Sequence, residues 1–217
     1  WFVYHKSLGA TKYLTLNAST AATTETGAGS WFFGTEPTSS VFTVGANGAT
    51  NENNMPIVAY CFAEKTGISK FGEYTGNGSS DGPVISCGFR PAMVIIKWYE
   101  SVNTSETWHM YDNKRGGNPN NTVLFPDATA DEESPADRYI QFTSDGFQLK
   151  SSGQAINRSG AKYIFMAWAA TFTGSDDFKS LNTANLPAPT IKDGGAHFNP
   201  VLYTGNGSTQ SITGVGF

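Results

Sequence analysis

No stretch of this chain keeps a helical period. Apolar residues come in short runs, several of them alternating with polar ones, and each run is bounded by Gly, Asn, Asp, Ser or Pro. Runs of that length and punctuation make strands joined by turns, the pattern of a β sandwich or barrel. The spacing predicts strands over 1–5, 12–17, 40–45, 56–63, 71–76, 83–88, 92–99, 107–111, 138–143, 146–150, 162–169, 200–204 and 211–217. Val94-Ile95-Ile96-Lys97-Trp98 and Tyr163-Ile164-Phe165-Met166-Ala167-Trp168 are apolar on both faces, so they are expected as central strands covered on each side. Asp145-Gly146, between Ile140–Phe142 and Phe147–Leu149, predicts a tight hairpin whose glycine supplies a positive φ. The fold class is therefore all-β: antiparallel sandwich modules of jelly-roll-like layout.

The chain also repeats itself. Tyr74-Thr75-Gly76-Asn77-Gly78-Ser79 returns unchanged as Tyr203-Thr204-Gly205-Asn206-Gly207-Ser208, 129 positions later, and each copy runs on to a Gly-Phe pair. Ile57–Ala63 resembles Tyr163–Ala169 at an offset of 106, and Trp1-x-Val3-Tyr4-x-Lys6 echoes Trp108-x-Met110-Tyr111-x-x-Lys114. These offsets divide the chain into the back half of a first module (1–72), a complete second module (73–172), a Pro- and Gly-containing spacer (173–200) and the opening strand of a third (201–217). On this reading the sequence is an excerpt of a longer tandem array. Another Tyr-Thr-Gly-Asn-Gly-like opening is expected before Trp1, and a Pro with an apolar strand after Phe217. The closing segment is not expected to fold back onto 1–72, because that half lacks about 35 residues and 201–217 offers only 17. The resulting sandwich would keep an unpaired edge and an apolar patch.

Composition excludes several classes. Lys and Arg number 14 against 18 Asp and Glu, a net charge of −4 with no basic run, so a nucleic-acid partner is not expected. No run approaches the roughly 18 to 20 apolar residues of a spanning helix, so membrane insertion is not expected. With 15 Phe, 9 Tyr and 5 Trp, the chain is not of disordered composition. Cys61 and Cys87 form no disulfide framework, and no Cys or His pair has zinc spacing, so neither a metal nor another cofactor is expected.

Catalytic signals are equally sparse. A glycosidase needs two carboxylates on one face. The only acid cluster, Asp131-Glu132-Glu133 with Asp137, lies beside Ser134-Pro135 in an expected loop, where solvated charge is the simpler account. His5, His109 and His197 have no Ser or Cys nucleophile in a recognisable context. Gly76-Asn77-Gly78 lacks the Gly-Lys-Ser/Thr of a phosphate loop and reads as a turn. Asp112 and Asn113 alone do not make a calcium site. Three aromatic residues are the candidate glycan-binding set: Trp98, Tyr99 and Trp108 flank the loop 100–107, where rings at a loop mouth stack on sugars. The competing account makes Trp98 and Trp108 a cross-strand pair capping the core.

The ordered motifs resemble a known module. They are Tyr74–Ser79, Gly88-Phe89-Arg90-Pro91-Ala92-Met93-Val94-Ile95-Ile96-Lys97, Trp108-x-x-Tyr111-Asp112-x-Lys114-Arg115, Ser144-Asp145-Gly146-Phe147-x-Leu149 and Tyr163–Ala169. This set is similar to an uncharacterised β module repeated in tail-associated and other virion proteins of marine tailed bacteriophages, cyanophages especially. The resemblance implies a concanavalin-like sandwich and no catalytic residues. It implies a non-enzymatic structural and adhesive role in a tail fibre, tail-associated or decoration protein. Assembly would take place in the host cytoplasm, with other virion proteins and further copies of the chain as partners. A carbohydrate-binding module for host-surface glycan is the alternative, and a glycan depolymerase the third.

Overall fold

A computed structural model describes residues 1–25, 31–32, 34–100, 106–169 and 198–214. The chain is all-β. Helix is confined, among these residues, to two four-residue turns, α1 (Gly48–Asn51) and α2 (Gln154–Asn157).

The centre of the molecule is a four-stranded antiparallel sheet. It is built from β6 (Ser69–Thr75), β12 (Lys162–Ala169), β8 (Pro91–Trp98) and β9 (His109–Asp112), in that order. The two doubly apolar runs are its inner strands, as their sequence requires. A three-stranded sheet packs against one face: β10 (Ile140–Phe142), β11 (Gly146–Leu149) and β7 (Val84–Ser86). Ile85, Val94, Ile96, Ile140, Phe147, Leu149, Tyr163 and Phe165 meet between the two sheets and form the main core. Two antiparallel sheets packed face to face make this a β sandwich.

The other face of the four-stranded sheet is covered from the N-terminal part of the chain. There β1 (Phe2–Val3), β2 (Lys12–Thr15) and the exposed β3 (Thr23–Thr24) form a small sheet. Val3, Leu8, Leu14 and Leu16 pack on Ile95, Tyr99, Trp108, Ile164 and Met166 in a second core. The four-stranded sheet is thus buried on both sides, which accounts for the apolar character of both faces of β8 and β12.

The remaining strands correct one expectation. β13 (Phe198–Thr204) lies antiparallel on β5 (Pro56–Phe62), and β14 (Gln210–Ile212) on β4 (Phe42–Val44). The closing segment therefore does fold back onto 1–72. The length argument against it assumed that a module closes only when whole. In the structure two strand pairs and one turn suffice, and apolar side chains such as Val58 and Leu202 stay exposed. β13 also begins at Phe198, inside the expected spacer, whose residues up to 197 lie outside the described residues, as do 215–217 of the expected closing strand.

The hairpin at Asp145-Gly146 forms, with Phe142 opposite Phe147. The reason for its glycine differs from the one expected. Gly146 has no positive φ; a Cβ there would collide with the carbonyl oxygen of Ile85 on the adjacent strand. Close backbone approach, not left-handed conformation, demands glycine here.

Candidate functional site

The repeated Tyr-Thr-Gly-Asn-Gly-Ser segment builds the same polar cradle twice. In the first copy the turn after β6 wraps around Asn157, the last residue of α2. Asn157 is fully buried, and its Nδ2 donates to the carbonyl oxygens of Ser151 (2.8 Å) and Ser79 (2.8 Å) and to Asn77 Oδ1 (3.1 Å). Its Oδ1 accepts from the Asn77 amide at 2.9 Å. Tyr74 Oη donates to the Ile156 carbonyl at 2.7 Å, and the Gly78 amide to the Asn157 carbonyl at 2.9 Å.

The second copy repeats these bonds with Asn51, the last residue of α1 and also fully buried. Its Nδ2 donates to the carbonyls of Gly45 (2.9 Å) and Ser208 and to Asn206 Oδ1 (3.5 Å), and its Oδ1 accepts from the Asn206 amide at 3.0 Å. Tyr203 Oη donates to the Thr50 carbonyl, and the Gly207 amide to the Asn51 carbonyl at 3.1 Å. Register agrees as well as the turns. Tyr74 faces Tyr163 and Tyr203 faces Ile57, and the ladder runs in step to Ser69–Trp168 in one copy and Phe198–Phe62 in the other. Gly76 and Gly205 are needed because a Cβ at either would run into the backbone carbonyl of Arg158 or Glu52. Each cradle thus fastens an incoming strand and turn to a strand far away in sequence by satisfying buried backbone groups through one amide side chain.

The aromatic candidates lie inside the protein. Trp98, Tyr99 and Trp108 are 7%, 6% and 0% exposed. Trp98 belongs to the main core, 6.0 Å from the Tyr163 ring, with the Arg158 guanidinium 5.3 Å above it. Trp108 and Tyr99 belong to the second core on the other face. Trp108 Nε1 donates to the Thr15 carbonyl (2.9 Å), and Tyr99 Oη to Glu73 (3.0 Å). No ring of the three offers a face to a sugar in this arrangement. Their burial fits a packing role, although Trp98 and Trp108 sit in different cores and not as the cross-strand pair expected. Residues 101–105 of the intervening loop lie outside the described residues.

Several charged side chains make structural contacts, whereas both ring nitrogens of the buried His109 have no hydrogen-bond partner among the described residues. Glu64 ties Lys6 to Lys70 (3.0 Å); partial burial acts to raise its pKa, but the two ammonium groups outweigh it and hold the carboxyl below its ordinary range. Asp112 accepts from the amides of Lys114 and Arg115 (2.9 Å each) and from Arg115 Nε (2.5 Å), so its oxygens close a turn. In the acid cluster, Glu132 pairs with Arg115 at 2.7 Å and Asp137 with Arg138 at 3.7 Å. Lys97 is buried, which lowers its ammonium to about 8, and it donates to the carbonyls of Ser19 (2.8 Å) and Glu106. The bond to Ser19 anchors the N-terminal segment to β8. His5 spans the same junction, with Nε2 3.2 Å from the Phe165 carbonyl and Nδ1 accepting from the Ser7 amide at 3.2 Å. Burial lowers His5 to about 4 and His109, edge-on to Phe125, to about 3, so both rings are neutral. His197 lies outside the described residues. Cys61 and Cys87 are free thiols, and burial pushes Cys87 up to about 12. Among the described residues no group of three or more His, Cys, Asp or Glu is placed to hold a metal ion.

Fold and site together define an all-β protein in which a sandwich is joined to a second, smaller frame closed by the same turn chemistry. The model of a domain family of unknown function, DUF7483, matches residues 1–171, and the chain belongs to that family. No curated protein and no solved structure matches the chain.

Proposed function

We propose that the chain is a non-enzymatic structural and adhesive protein of a bacteriophage particle, in a tail fibre, tail-associated or decoration position. It acts there by joining β units in series, among other virion proteins and further copies of itself. The observation that carries this reading is the duplicated cradle. One sequence motif fastens two separate strands, each through its own equivalent buried asparagine, Asn157 or Asn51, as expected of a chain made of recurring units. The two-sided burial of β8 and β12 adds to it, since residues 1–25 and the sandwich share one core and hold a fixed relation. The virion setting rests on the motif resemblance described above.

The test is localisation. An antibody against this chain should label intact, purified particles of the source phage at one repeated position by electron microscopy, and particles without label would refute the virion role. Release of sugar from host-surface glycan, lost on removing a single carboxylate, would refute the non-enzymatic part.

A further inference from the structure

Residues 1–25 cover the outer face of the four-stranded sheet without adding a strand to it. Among the described strands, β1, β2 and β3 pair only with one another, and none of them joins β6, β8, β9 or β12. The cover rests on the apolar contacts of the second core and on a few single bonds. The Thr15 carbonyl accepts from Trp108 Nε1 at 2.9 Å and the Ser19 carbonyl from Lys97 at 2.8 Å, and the Ala22 amide donates to the Tyr99 carbonyl at 2.9 Å. A piece attached in this way separates at lower cost than one held by a ladder.

His5 is the attachment that answers to mild acid. It is buried, and its two ring nitrogens have unlike partners. Nδ1 accepts from the Ser7 amide, which can only donate, and Nε2 meets the Phe165 carbonyl of β12, which can only accept. These contacts fix the neutral ring with its hydrogen on Nε2. A second proton would go on Nδ1, set two N–H groups against each other and break the Ser7 bond. The Leu8 amide donates to the His5 carbonyl at 2.9 Å, so the turn that carries Leu8 into the second core begins at the same residue. The charged groups that act on the ring are Lys6 next to it, Glu73 on β6 and Glu64. Glu64 binds Lys6 and Lys70, which hold its carboxyl below the ordinary 4.5, and Lys97 is lowered only to about 8. Neither changes charge appreciably between pH 7 and pH 5.

We propose that residues 1–25 are a detachable cover latched by neutral His5, and that mild acid lifts them from the sheet while the sandwich stays folded. Lifting uncovers Tyr99, Trp108 and Ile164, which are buried in the second core when the cover is closed. His5 takes its proton near 6.5 when the cover is open and near 4 when it is closed, so the open form binds more protons as the pH falls. Its population relative to the closed form rises roughly twentyfold from pH 7 to pH 5. The inference rests on the contacts of residues 1–25 and holds whether or not the chain belongs to a virion.

The test is native-state amide exchange of the whole chain by NMR at pH 7 and pH 5, corrected for the intrinsic effect of pH on exchange. The Ala22 amide reports on the cover, and the β11–β7 ladder reports on the sandwich. Protection at Ala22 should be lower than in that ladder and should fall roughly twentyfold between the two pH values. His5→Gln keeps a donor for Phe165 and cannot take a charge, so it should abolish that fall. His109→Gln alters β9 of the sandwich and should leave the fall at Ala22 in place. Equal protection at Ala22 and in the ladder at both pH values would show that the cover opens only by global unfolding and would overturn the inference. A fall that persists in His5→Gln, a fall that vanishes in His109→Gln, or no fall in the unaltered chain would overturn it as well. Should His5→Gln fail to fold, the comparison of Ala22 with the ladder in the unaltered chain decides alone.

Discussion

Replacing Asn157 by alanine removes one small side chain and should cost far more than its size suggests. The amide is fully buried and serves four partners: the carbonyls of Ser151 and Ser79, Asn77 Oδ1 and the Asn77 amide. Of these bonds the one to Ser151 is wholly buried, so that carbonyl loses its partner where water cannot replace it, at about 1 to 3 kcal/mol. The other three lie at the partly open rim of the turn, and water recovers much of their energy. Taking about 0.5 kcal/mol for each gives a total of about 2.5 to 4.5 kcal/mol. With a urea slope of about 2 kcal/mol/M, the unfolding midpoint should fall by about 1 to 2 M at unchanged slope, read from the fluorescence of Trp98 and Trp108. Asn157→Asp keeps the acceptor and loses the donors, so it should behave nearly as badly. Asn51→Ala should instead loosen 198–214 and leave the sandwich midpoint nearly where it was. A midpoint loss equivalent to less than about 1 kcal/mol for Asn157→Ala would refute the idea that one amide holds the turn.

Phe165 is 3% exposed in the centre of the main core, so Phe165→Ala should cost roughly 3 to 5 kcal/mol, and a loss under about 1 kcal/mol would make β12 peripheral. Stability should also fall as pH drops from 6.5 towards 5. His5 and His109 are held at about 4 and about 3 in the folded chain but take protons near their ordinary 6.5 when unfolded, so the unfolded state binds more protons in this window. Each contributes about 2 kcal/mol of loss by pH 5, and His109→Gln should remove about half of the slope, as chemical denaturation at a series of pH values would reveal. Thiol titration without reductant should find two reactive thiols in the unfolded protein and little reaction of Cys87 in the folded one; finding none after unfolding would contradict the free-thiol assignment.

Much of the fold was legible because strand burial writes a period into sequence. The doubly apolar runs at Val94–Trp98 and Tyr163–Trp168 could only be inner strands, and they are. Elements without an apolar signature escaped. β3 is two exposed threonines, and α1 and α2 are too short to show a helical period. Gly146 was recognised as a turn glycine for the wrong reason, since close approach to Ile85 depends on a strand some 60 residues away. The cradle was half visible. Its glycine-rich turn stood out by repetition, while Asn51 and Asn157 did not, because a single asparagine carries no pattern. The signal was present all the same: the two are separated by 106 positions, the offset that relates Ile57–Ala63 to Tyr163–Ala169. Trp98, Tyr99 and Trp108 looked like loop-mouth rings because the loop beside them was visible in the sequence and the N-terminal segment covering Tyr99 and Trp108 was not.

The claim on which the rest depends is that residues 198–204 complete the frame begun by 42–62. Backbone NOEs across the β5–β13 ladder test it directly. The account predicts cross-strand contacts with Val58 opposite Leu202 and Ala59 opposite Val201, in the register of Ile164 opposite Glu73 and Phe165 opposite Gly72. Absent contacts, or a ladder displaced by even one residue, would contradict it.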